Sequence, residues 1–96
     1  MKLIYDYLIR GYSGGMMLTN STSGEWDFDS FDINQNLSNP NSEVIITVLE
    51  KDKDSVTINI VYRNNNQTLK ILPNSDTRFT CDANAYGFTF IFNVKE

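Results

Sequence analysis

Histidine is absent from this chain of 96 residues, and cysteine occurs once. Without His the chain lacks the commonest general base, the commonest transition-metal ligand and the side chain that ordinarily titrates near neutral pH. A single Cys, Cys81, excludes an internal disulfide framework and a Cys-based zinc site, and one thiol suits a reducing compartment. Alanine, the best helix former, occurs only twice. No stretch approaches the ~20 consecutive apolar residues of a membrane helix. The first ten residues are broken by Asp6 and Arg10 before a signal-peptide core forms, so the expected location is the cytoplasm, with a virion-associated one left open. Basic residues are scarce as well: 8 Lys and Arg stand against 12 Asp and Glu, for a net charge of −4. They form no stripe, so nucleic-acid binding is not expected. Gly11, Gly14 and Gly15 match no phosphate-cradling or dinucleotide motif and read as a flexible corner.

What the chain does contain is strand-forming residues. Val, Ile, Thr, Phe, Tyr and Trp supply 34 of the 96 positions, and such side chains suit a pleated, half-buried surface. The 12 Asn cluster in stretches such as 64–66, where their tolerance of left-handed backbone marks turns. Abundant Asn and Ile with scarce Ala also match AT-rich coding sequence, as in many bacteria and phages. Three N-x-S/T sequons, at Asn20, Asn36 and Asn66, are about what this Asn, Ser and Thr content gives by chance.

Alternation is clearest in the second half. Val56, Ile58, Ile60 and Tyr62 share one strand face, as do Phe88, Phe90, Phe92 and Val94. Between them Leu69 and Ile71 flank Lys70, and Thr77, Phe79 and Cys81 form another alternating set. Residues 44–49 are apolar on both faces, which predicts an interior strand. Turn residues at 51–54, 63–66 and 73–76 join these segments into an antiparallel meander.

The first half is less regular. Residues 2–10 fit a strand showing Leu3, Tyr5, Tyr7 and Ile9, or a short helix with Ile4, Tyr7 and Leu8 inward. Their shortness and their Ile and aromatic content favour the strand. The glycines at 11, 14 and 15 are expected to break it, with a further short strand at 16–19. Glu25, Trp26, Asp27, Phe28 and Asp29 alternate, with Trp26 and Phe28 inward. The shift to Phe31 and Ile33 predicts a β-bulge near Ser30. Residues 34–43 read as a polar loop. The expectation is one all-β domain over residues 1–96: a small antiparallel β-sandwich, or a partly open barrel, of seven to eight short strands. Its strand spacing resembles immunoglobulin-like domains in architecture alone, because the Cys…Trp…Cys signature is missing, and the resemblance implies no function.

Candidate chemistry is sparse. Asp27, Asp29 and Asp32 are close enough to suggest oxygen ligation of calcium. However, Phe31 and Asp32 stand where an EF-hand loop needs an oxygen ligand and a Gly, so a solvated strand face explains the three acids better and no metal is expected. Paired carboxylates can do acid–base work without His, but they need a cleft that a domain this small rarely has room for. Cys81, on the side of Phe79 and with no His to activate it, is expected to be a buried, inert thiol. No cofactor and no enzymatic activity are expected.

What remains is contact. Glu25, Asp27, Asp29 and Asp32 concentrate acid within eight residues, and an acidic face can steer a protein towards a basic partner. Tyr5, Tyr7, Tyr12, Trp26, Tyr62 and Tyr86 exceed the needs of a small core and are of types favoured at interfaces. The expected function is therefore protein–protein interaction, with a homo-oligomer included, and Tyr12, Glu25, Asp27, Asp29 and Asp32 as contact residues. A small phage or mobile-element inhibitor of a host protein is the narrower version. The alternative is a carbohydrate-binding, adhesion or assembly module in which the aromatics stack on sugars.

Overall fold

Period-two alternation becomes strand over most of its length, the exception being Phe28 and Asp29 at the end of the 25–29 stretch. The computed structural model describes residues 1–13, 15–37, 44–83 and 86–96, without the side chains of 9, 10, 12, 13, 17–20, 82, 83 and 86. Among the described residues seven strands follow one another: β1 (Lys2–Ser13), β2 (Met16–Asp27), β3 (Ile45–Lys51), β4 (Val56–Tyr62), β5 (Asn65–Ile71), β6 (Thr77–Ala83) and β7 (Tyr86–Lys95). They form two antiparallel sheets, one ordered β2-β1-β7-β6 and the other β3-β4-β5. The five C-terminal strands do run on as a meander with short turns. The chain changes sheet at 72–76, so three of the five lie in one layer and two in the other.

The core lies between the layers. Leu3, Phe79, Phe88, Phe90, Phe92 and Val94 of the larger sheet meet Ile46, Val48, Val56, Ile58, Ile60 and Ile71 of the smaller one, all buried. Burying a side chain of this size stabilises the fold by about 1.5–3 kcal/mol relative to exposure. Phe28, Phe31, Leu37 and Val44, from the connection between the sheets, complete the core.

Several sequence expectations change in detail. The segment 2–10 is a strand, but Gly11 does not end it: β1 runs on to Ser13, because a Gly within an antiparallel ladder still pairs through its backbone. The chain reverses between Ser13 and Met16, where Gly15 has φ 80°, a conformation that favours a residue without a Cβ. The short strand at 16–19 and the alternating stretch from Glu25 belong to one strand, β2, of 12 residues. In place of a bulge near Ser30, a 3₁₀ turn over Phe28–Ser30 ends β2 and re-aims the chain, so that Phe28 and Phe31 both point inward and touch edge to face at 5.6 Å. Ile33, expected beside Phe31, is exposed.

Residues 44–49 belong to an edge strand rather than an interior one. Their second apolar set, Ile45 and Leu49, faces outward, and the ladder shifts register between Val48 and Glu50. The outer side of β3 is covered by the chain itself: Asn34 and Leu37 donate to the carbonyls of Val48 and Ile46, and Val48 donates to Gln35. In the expected loop 34–43, residues 34–37 thus act as a short edge cover, with Asn34 at φ 70°, and 38–43 lie outside the described residues. The 63–66 turn is tighter than expected, since Asn65 and Asn66 already pair in β5.

Candidate interaction surface

An antiparallel sandwich has edges, and their protection differs here. β3 carries a register shift and the covering segment 34–37. β5 and β6, joined by 72–76, contact each other at one side of the sandwich, where β5 also meets β7. β2 has no such cover among the described residues; it pairs with β1 on one side and with nothing on the other. Its register against β1 is unbroken from Met16 to Asp27, and residues 16–24 include no Pro and no charge. Proteins usually blunt an exposed edge with Lys, Pro, a bulge or a short strand. Over 16–24, β2 has none of these.

The alternation of the ladder says which backbone groups face outward. Phe28 N–H donates to Met1 O at 3.1 Å, and Ser13 pairs with Met16 across the two-residue turn. Even-numbered β2 residues therefore bond to β1. Met17, Thr19, Ser21, Ser23, Glu25 and Asp27 direct their N–H and C=O groups away from it.

The acidic residues lie at the C-terminal end of this edge. Glu25 and Asp27 are exposed on β2, Asp29 in the 3₁₀ turn and Asp32 just beyond it. Lys2 pairs with Glu25 at 2.9 Å, both half-exposed. The hydrogen bond and charge of Glu25, with a smaller push from Asp27, hold the Lys2 ammonium above its ordinary value. The carboxylates of Asp29 and Asp32 have no hydrogen-bond or ion-pair partner among the described residues. Asp27 and Asp29 are both outward, as expected, but they do not share a strand face, because β2 ends between them. The backbone of Tyr12 pairs with Met17 near the far end of the β1–β2 hairpin; its side chain lies outside the described residues. The structure thus groups Glu25, Asp27, Asp29 and Asp32 around one end of β2 and leaves Tyr12 near the other.

The inner face of the larger sheet outreaches the smaller sheet that covers it. Trp26, expected in the core, is half-buried and stacks on Tyr5 with ring centroids 4.5 Å apart. Tyr7 stacks on Phe90 at 4.4 Å, and Tyr62 meets Phe88 edge to face at 4.3 Å. Gly24, opposite Tyr5, gives that ring its place, since a Cβ there would lie 2.6 Å from ring atoms. Cys81 is half-buried rather than buried, for it sits on β6 at the margin of the same sheet.

A shallow depression of about 410 Å³ lies beyond the 3₁₀ turn, lined by Met1, Phe28, Asp29, Lys51, Asp52 and Lys53. The Lys51 ammonium donates to the carbonyls of Phe28 at 2.8 Å and Phe31 at 2.6 Å and sits 5.2 Å from the Phe31 ring centre. It satisfies carbonyls that a three-residue turn leaves without partners, which is a structural role. Among the described residues no three of Cys, Asp and Glu come together as a metal-ligand group, and no helix is long and apolar enough to cross a membrane.

Sequence reasoning missed the β2 edge and the Lys51 clamp. A signal for the edge was present, in the fourteen consecutive uncharged residues 11–24 before Glu25, but the Gly breaks obscured it. Among the described residues, fold and surface define a two-sheet β-sandwich whose β2 edge has no cover. Compared with protein-family models, curated proteins and solved structures, the chain finds no match.

Proposed function

We propose that this protein is a non-enzymatic interaction module that contacts a protein partner along β2, with the acidic residues at its C-terminal end setting orientation. The observation carrying this reading is the 12-residue edge of β2, without cover among the described residues, six of whose residues aim backbone donors and acceptors outward. Such an edge accepts an extended segment by strand addition: main-chain hydrogen bonds supply affinity and flanking side chains supply selectivity. Glu25, Asp27, Asp29 and Asp32 would favour a segment with basic residues at the matching end and would speed encounter at low salt. The narrower version, a phage or mobile-element accessory protein that inhibits a host protein, draws on small size, acidity and Asn- and Ile-rich composition.

The carbohydrate-binding alternative draws on the half-buried aromatic row. Tyr5 and Trp26 each give one ring face to the other, and Tyr7 gives one to Phe90, which reduces the face area left for a sugar. Trp26 fluorescence titrated with glycans separates the two readings.

For the leading reading the test compares partner capture by the native chain with capture by Asp27→Ser/Asp29→Ser and by Ser21→Pro. Both variants are expected to fold and to lose capture, the first in a salt-dependent way and the second outright. Unchanged capture by both contradicts the proposal.

A further inference from the structure

We infer that the strand added to β2 is the β2 of a second copy of this chain, paired antiparallel about a two-fold axis at Ser21. This rests on the reading of β2 as a contact edge but replaces the basic segment by a second copy, against which the acids act by excluding slid registers rather than by attracting basic residues. The symmetry follows from where the residues lie along the strand. A two-fold axis at Ser21 overlaps nearly all of β2 with its mate, and outward-bonding residues meet outward-bonding residues: Ser21 opposite Ser21, Ser23 opposite Thr19 and Glu25 opposite Met17. These positions form about ten backbone hydrogen bonds, two for each facing pair.

Charge selects this register. Like charges directly opposite one another destabilise a ladder. Because the acids of β2 lie at one end and residues 16–24 carry none, full antiparallel overlap sets Glu25 and Asp27 against uncharged residues. Registers slid towards the acidic end bring carboxylates face to face.

The side chains agree with the same axis. Trp26 and Met16 are both even-numbered and point to the inner face of the sheet. Trp26 is half-buried, and Met16 is 69% exposed, the most exposed of the large hydrophobic residues described. The axis at Ser21 brings Trp26 of one copy opposite Met16 of the other, twice. Both contacts fall at non-hydrogen-bonded positions, where side chains approach most closely. Thioether sulfur against an aromatic ring is a favourable pairing. An interface of this kind is isologous, as closed dimers require, and turns two four-stranded sheets into one of eight strands.

The test uses the full chain and its single Trp. Sedimentation velocity from low to high micromolar concentration is expected to show a monomer–dimer equilibrium, with the Trp26 emission moving to shorter wavelength as dimer forms. Ser21→Pro removes an outward N–H and leaves β1 pairing intact, so it should remain monomeric with an unchanged circular dichroism spectrum. Met16→Lys should raise the dimer dissociation constant about tenfold or more. A native chain monomeric throughout overturns the second-copy proposal; if Ser21→Pro still abolishes partner capture, the contact-edge reading stands without it. A dimer that persists in both variants uses another face and overturns the proposal. Should Ser21→Pro lose its fold, Ser21→Lys replaces it, with the same outcomes read.

Discussion

Lys51 shows how much one side chain can carry when its partners are backbone. Its ammonium is partly buried and holds two carbonyls of the turn that closes the core. Lys51→Met keeps the stem but strands both acceptors, so urea denaturation should show a loss of about 1–3 kcal/mol. The acidic residues are the opposite case. Asp27→Ser and Asp29→Ser should each change stability by no more than about 0.5 kcal/mol, as at ordinary surface sites. Trp26→Ala should cost about 2 kcal/mol, less than the 3–5 kcal/mol of a fully buried aromatic, because part of the ring is already in solvent. At this scale alternation along β2 decides that Glu25 and Asp27 face outward, whereas Phe28, Asp29 and Asp32 take their places from the 3₁₀ turn and the segment after it. The Lys51 contacts were not legible, because they join residues 20 and 23 positions apart through a turn with no strong signature.

β2 shows what local pattern conveys about an element and what it leaves out. Alternation at 25–29 pointed to strand, which the chain forms as far as Asp27, but the polar stretch before it has no apolar periodicity, so the two parts read as separate. Pairing with β1 makes them one, because β1 is long and strongly strand-forming and supplies a template for the full hairpin. β3 errs the other way. Its two apolar faces implied an interior position, yet the smaller sheet packs on one side only and Ile45 and Leu49 remain outward. Gly24 gives a test within β2. Gly24→Ala must displace the Tyr5 ring and break its stack on Trp26, worth about 0.5–1.5 kcal/mol with further loss of buried area. Strand propensity returns about 0.5–1 kcal/mol. The net expectation is a destabilisation of about 1 kcal/mol with a red shift of Trp26 emission; unchanged emission would contradict the stacked arrangement.

The whole molecule is longer than its core. Its dimensions are 47 × 24 × 20 Å, and a 12-residue hairpin strand spans about 40 Å, so β1 and β2 set the long axis. The two-layer architecture was legible because alternating segments with short turns leave few other ways to bury one face each. Which edge stays uncovered was not legible, since it depends on segments such as 34–37 folding back on a strand distant from any local pattern. That uncovered edge is the centre of the functional account, and residue-resolved amide hydrogen exchange tests it most directly. At low protein concentration Thr22, Gly24 and Trp26 should exchange slowly, while Ser21, Ser23, Glu25 and Asp27 exchange fast; at high concentration or with partner bound, the second set should become protected too. Protection of all seven amides in the dilute monomer, or fast exchange of the outward set under every condition, would contradict the account.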